Sequence, residues 1–223
     1  MDNKAHIDKI LNFFKETEEA IGLPSDTEDK AWYCKYGAEY LEPFFVSLYG
    51  PNTELNLPIQ INPDKKSNPF TIDFKHTEIE NVYMDLKGQS QPFFVSRRKF
   101  GINPQYEKTI NVQDVIKYKE REEKEGIKIH ILIWLTIWDQ GYVDEHNSKF
   151  DTDVKRMEGL WCTNASEILA LPEKRRQVYI TYARREINRE QEIREKGCSN
   201  KTESHVICCT DLKKQAFCNM WDI

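Results

Sequence analysis

No stretch of this chain is long and apolar enough to span a membrane. The longest apolar run, Ile129 to Trp138, is broken by His130 and Thr136 and is about half of the roughly 20 residues a spanning helix needs. Glycine and proline are scarce, nine of each among 223 residues, which excludes collagen-like and low-complexity classes. The glycines are scattered singly, so there is no glycine-rich loop to cradle a nucleotide phosphate, which argues against a nucleotide-driven enzyme. No Cys-x-x-Cys pair exists among the six cysteines, and no serine or cysteine lies in a recognisable nucleophile setting. The first twenty residues, MDNKAHIDKILNFFKETEEA, lack an apolar core followed by small residues. The expectation is a chain without a signal peptide, held in a reducing cytoplasm.

What is present is the composition of a globular protein. Apolar residues make up 39%, aromatics 12% and charged residues 31%, enough for a substantial core at a length near the top of the single-domain range. The net charge of −5 is unevenly distributed. Residues 1–172 carry a balance of −8 and residues 173–223 a balance of +3, which permits acidic metal ligands in the body and an anionic partner toward the C-terminus.

Periodicity supplies the organisation. Ile7, Ile10, Leu11, Phe13 and Phe14 share one side of a helix over residues 5–20. Trp32, Tyr36, Tyr40, Phe44 and Leu48 recur every fourth residue and predict a second helix, kinked or ended at Pro43. On that helix Glu39 and Glu42, three apart, share a neighbouring face. Three short β-like runs come next, Leu57 to Ile61, Pro69 to Lys75 and Asn81 to Lys87, and read as a meander. Asn111 to Glu125 reads as a capped helix stopped at Gly126, and Ile127 to Trp138 as a buried strand in which His130 is a core residue. Gly159 to Leu171 reads as strand and turn, and Pro172 to Lys196 is open between helix and strand.

The chemistry concentrates in the meander. Side chains alternate across a strand, so Asp85 and Lys87 share one face while Val82, Met84 and Leu86 face a core. Thr71, Asp73 and Lys75 likewise lie opposite Phe70, Ile72 and Phe74. Two adjacent antiparallel strands then aim Asp73 and Asp85 at one patch with Lys87 beside it, a pattern suited to Mg²⁺, which favours one or two carboxylates and keeps waters for a substrate phosphate. A lysine there can stabilise an attacking hydroxide and the charge building on phosphorus.

With Asp73 and the triplet Asp85-Leu86-Lys87, the stretch 29–138 resembles the PD-(D/E)xK nucleases, which include many type II restriction endonucleases. The resemblance implies an α/β, restriction-endonuclease-like core of helix, three-strand meander, helix and strand, with a C-terminal extension. It implies Asp73 and Asp85 as metal ligands, Lys87 as the residue that orients or helps deprotonate the attacking water, and Glu39, on the preceding helix, as a further acidic ligand. The implied organisation is a nuclease core over 1–150 with N-terminal helices, and an extension over 151–223 packed on the same domain for DNA contact or dimerisation. The implied activity is Mg²⁺-dependent hydrolysis of double-stranded DNA by a homodimer. A non-catalytic DNA-binding or protein-interaction module on the same fold is the alternative. The chain departs from the family pattern in having Ile72, not Pro, before the first acid, and Asp, not the commoner Glu, as the second. Pro63-Asp64 with Asp73-Phe74-Lys75 offers an upstream register, but the downstream one is followed by the helix and buried strand in the family's order.

Gln89 continues the face of Asp85 and Lys87. Beyond it, Ser96, Arg97, Arg98, Lys99, Asn103 and Gln105 form a DNA-facing segment, the cations suited to phosphate and the polar side chains to base edges. Lys174, Arg175, Arg176, Arg184 and Arg185 extend the basic track. In the tail, Cys198, Cys208, Cys209, Cys218 and His205 offer enough ligands for zinc. Neighbouring side chains of an extended chain diverge, so adjacent Cys208 and Cys209 favour buried thiols instead.

Overall fold

The computed structural model describes residues 3–23, 30–68, 71–137, 139–171, 176–180, 201–209 and 214–215. The chain divides into two compact units, Met1–Leu86 and Lys87–Ile223, whereas the sequence reading sets its boundary after residue 150. Helices and strands occur in both, which makes this a mixed α/β protein. Its strands form one larger mixed sheet and one three-stranded antiparallel sheet.

The first unit opens with α1 (Asn3–Ile21), closed by a Gly22 at φ +68°, whose N–H bonds Glu18 O. A residue with a side chain is strained in that left-handed conformation. Next come α2 (Lys30–Lys35), a π-helical turn (Tyr36–Leu41) and α3 (Glu42–Tyr49). Pro43 does not end the helix. It falls in the first turn of α3, where a proline's missing N–H does least harm, and the π-turn before it closes with Glu42 N–H on Gly37 O. Against this helical layer lie β1 (Ile59–Ile61), β2 (Phe74–His76) and β3 (Val82–Gln89), of which residues 82–86 belong to the first unit. The strands form an antiparallel meander with Ile61 opposite Phe74 and Phe74 opposite Met84. Its buried face carries Ile59, Ile72, Phe74, Val82, Met84 and Leu86. Phe45 of α3 stacks on Phe74 of β2 with centroids 5.6 Å apart, and Phe13 of α1 stacks on Phe44 at 3.8 Å.

The expected meander is present, but its middle strand is shorter than the span 69–75. Immediately after β1, Pro63 starts a 3-10 turn (Pro63–Lys66), so residues 71–73 have no ladder neighbour on that side. Asn62 bridges the gap instead. Its backbone N–H bonds Asp73 O, its amide group donates to Ile72 O at 3.0 Å, and its carbonyl caps the turn at Asp64 N–H.

The second unit contains α4 (Ser96–Phe100), β4 (Glu107–Asn111), α5 (Val112–Glu125), β5 (Lys128–Ile137), α6 (Gln140–Phe150), β6 (Met157–Asn164), α7 (Ala165–Leu169), β7 (Arg176–Ile180), β8 (Lys201–Cys208) and β9 (Lys214–Gln215). Asn111 caps α5 through Gln113 N–H, and Gly126 at φ +67° ends it, as expected. β5 pairs antiparallel with β6 from His130–Asn164 to Ile137–Met157, and β6 with β9. β8 lies between β4 and β7 in the smaller sheet. Elements that the sequence reading did not expect are α4, β4, β8, β9 and α6, which Asp139 caps. The helix-then-strand order of the sequence reading is therefore interrupted by α4 and β4. The reading of 159–171 as strand and turn is met by β6 followed by the short α7. Of the ambiguous 172–196, residues 176–180 are strand, while 172–175 and 181–200 lie outside the described residues. Among the described residues no helix is long and apolar enough to cross a membrane.

Candidate active site

Three acids and one lysine meet within the first unit. Asp73 immediately precedes β2 and Asp85 lies on β3. Continuing the Phe74–Met84 register by one step sets the two acids opposite each other, on the face away from the buried Phe74 and Met84. Asp73 Oδ2 accepts the Leu86 N–H at 2.8 Å, which ties the first acid to the backbone just beyond the second. From the 3-10 turn, Lys65 Nζ donates to Asp73 Oδ1 at 2.6 Å and to Glu42 Oε1 at 2.5 Å. Glu42 stands at the head of α3 and is only 5% exposed, and Asp85 is 7% exposed.

Charge is not balanced in this group. Burial, reinforced by repulsion from Asp85 and Glu42, pushes the Asp73 carboxyl up to about 7, although Lys65 pulls it the other way. Burial disfavours the Lys65 ammonium, but the Asp73 and Glu42 carboxylates outweigh that and hold it above the usual lysine range. Glu42 Oε2 is buried with no hydrogen-bond partner among the described residues, a costly arrangement for a carboxylate oxygen. The chemistry of the donors fits a hard divalent cation: oxygen ligands only, three acids against one lysine, and one carboxylate oxygen without a partner. The spacing is not yet that of a metal cage. Among the described residues, no three Asp, Glu, His or Cys side chains gather as metal ligands, and the Lys65 ammonium stands between Glu42 and Asp73.

Of the residues expected from sequence, Asp73 and Asp85 come together. Glu39 does not join them: it is exposed, and Glu42 occupies the acidic position. The π-turn is the physical reason, since one extra residue in a turn rotates the next part of the helix by roughly 100° and separates two glutamates that an α-helix would align. Lys87 belongs to the second unit, where its ammonium sits 5.6 Å from the centre of the Tyr118 ring. There, burial and then the Lys87 charge pull the Lys108 ammonium down to about 8. In the upstream register, Asp64 is exposed on the 3-10 turn and Lys75 is half-buried in β2. Sequence reasoning missed Lys65 entirely, and its only trace was the polar Asp64-Lys65-Lys66 turn. Glu42 was visible as Glu39's neighbour but was not chosen.

The expected DNA-facing segment is in the second unit, and it splits. Arg97, Arg98 and Lys99 are exposed along α4. Ser96 is fully buried, and its hydroxyl donates to Ile102 O. Gln105 is buried and bonds both the N–H and the carbonyl of Lys155. Gln89 donates to Glu107, and the Asn103 side chain accepts Gln105 N–H. Ser96, Gln89 and Gln105 are thus engaged within the unit and do not present free base-reading groups. In the tail, Cys208 and Cys209 are buried thiols, and burial, followed by Cys208, pushes Cys209 up. Cys198 and Cys218 lie outside the described residues.

No protein-family model, no curated protein sequence and no solved structure matches this chain.

Proposed function

We propose that the chain is a Mg²⁺-dependent endonuclease that hydrolyses phosphodiester bonds in double-stranded DNA, of the restriction type and acting as a homodimer. The observation that carries this reading is the convergence of Glu42 at the head of α3, Asp73 just before β2 and Asp85 on β3 on one buried and under-neutralised patch. Burying several like charges destabilises a fold, and a functional ligand is the ordinary compensation. Asp73 and Asp85 would hold the ion and Glu42 would complete its surroundings. Bound there, Mg²⁺ supplies Lewis-acid stabilisation of the negative charge that builds on the reacting phosphate.

The chain's own residues do the rest. The Leu86 N–H holds one oxygen of the Asp73 carboxylate, Oδ2, beside Asp85. Lys87, two residues beyond Asp85 in the chain, is the residue this reading assigns to orienting the attacking water. Arg97, Arg98 and Lys99 neutralise backbone phosphates of the duplex.

One observation favours a second reading, a DNA-binding module without cleavage: Lys65 already occupies one oxygen each of Glu42 and Asp73, where a metal-free site would place a cation. Incubating the purified protein with mixed plasmid DNA, with Mg²⁺ or with EDTA, separates the two. Discrete fragments that vanish with EDTA support the nuclease, and a retarded but intact plasmid supports the module. Sedimentation with and without DNA tests the dimer.

A further inference from the structure

We propose that Lys65 is a built-in competitor of the divalent cation, so that metal enters this site only as the Lys65 ammonium leaves it. The inference rests on the reading of this site as a metal centre and adds how that centre is controlled. Lys65 Nζ lies 2.5 Å from Glu42 Oε1 and 2.6 Å from Asp73 Oδ1. It therefore uses one oxygen of each carboxylate that an ion at the patch would need. An ammonium and a divalent ion sharing those carboxylates would stand within a few ångström of each other in a poorly hydrated place, where like charges repel strongly. The arrangement also explains why three acids in one patch do not make a metal cage here. Glu42 Oε2, buried and without a hydrogen-bond partner, is the ligand left waiting.

The path of release is built in. The turn that carries Lys65 is tied to the sheet at Asn62, whose side chain bonds both Asp64 N–H and Ile72 O, so departure of the ammonium requires only rotation of the lysine side chain. Asp64 and Lys66 on either side are exposed. A long flexible stem on such a turn carries its ammonium into water by rotation about its own bonds. Unloaded, the site is held together by lysine; loaded, by the metal. Metal affinity is consequently weaker than the three acids alone would give, by the fraction of molecules whose ammonium has left the site.

The test uses the full chain and Ca²⁺, a hard divalent ion that takes the same kind of oxygen ligands as Mg²⁺, with binding read by calorimetry. Lys65→Met keeps the stem and removes the charge; it is expected to bind Ca²⁺ about tenfold more tightly or better. It is also expected to melt lower than wild type without metal and to gain more from added Ca²⁺. If Lys65→Met does not fold without metal, it is prepared in Ca²⁺, and Lys65→Arg, which retains the charge, is expected to bind no tighter than wild type. Binding of Ca²⁺ by wild type with no gain in Lys65→Met overturns the inference and leaves the nuclease reading standing. A gain in Lys65→Met, with no DNA cleavage by wild type in Mg²⁺, upholds the inference and overturns the nuclease. Absence of Ca²⁺ binding by both proteins overturns both.

Discussion

Asp73 accepts the backbone N–H of Leu86 across thirteen positions of sequence, at 2.8 Å. This bond is made beside Asp85, so the two acids are held together by the same strand pairing that buries Phe74 and Met84. The acidic patch is thus part of the sheet's framework, and altering its charge acts on stability and on chemistry at once.

Asp73→Asn and Asp85→Asn keep a hydrogen-bond acceptor and remove the charge. Each is expected to lower DNA cleavage by a factor on the order of 100 or more while leaving duplex binding nearly intact. Single-turnover cleavage and gel retardation, measured on the same preparations, check this. Loss of binding in step with cleavage would place these residues in DNA affinity instead.

Glu42→Gln against Glu39→Gln separates the two candidates for the helical acid. Glu42→Gln is expected to reduce cleavage strongly. Glu39→Gln, on an exposed position, is expected to leave it within about a factor of two, since surface changes rarely matter energetically. The opposite pattern would restore Glu39 to the site.

Asp73 also sets a pH dependence of stability. Its carboxyl is raised in the fold, by burial and by Asp85 and Glu42, from 3.8 to about 7. Between those values the folded chain holds a proton that the unfolded chain has lost, so stability from this group falls as pH rises from about 4 to about 7 and is then level. Thermal melts of metal-free protein should show that decline. Asp73→Asn should reduce it, and an undiminished decline in that variant would assign it to other groups.

Removing the exposed cations by Arg97→Ala and Arg98→Ala is expected to weaken DNA binding for all sequences and to lower the salt slope by about one for each phosphate no longer neutralised. Gln105→Ala should instead lower the melting temperature, because it breaks two bonds to Lys155 in the interior. A fluorescence titration over a salt series, alongside thermal melts, tells the two effects apart. Sequence-selective loss in Gln105→Ala without destabilisation would return that residue to the DNA surface.

Local rules were enough to read much of this chain from its sequence. The helix α5 was legible because Asn111 caps it and Gly126 ends it in a left-handed conformation. β5 was legible because a run of β-branched and aromatic residues buried along most of its length reads the same in any context. The pairing of Asp73 with Asp85 needed only the two-residue period of strands and a short turn. β4 was illegible for the opposite reason. Its Glu107 and Lys108 are both buried, satisfied by Gln89, Phe93, Thr109 and Gly88, so two charges that advertise a solvated loop are interior.

Lys65, Glu42 and the fate of Ser96 and Gln105 were decided by tertiary structure alone. No spacing relates Lys65 to Asp73; the Asn62 side chain brings the turn against the strand. No propensity announces the π-turn at Tyr36–Leu41, which rotates Glu42 inward and leaves Glu39 in solvent. A sequence displays which groups are available at each periodic position. Which of them lose water and meet one another depends on contacts between segments far apart in the chain, and those exist only after the sheet has formed.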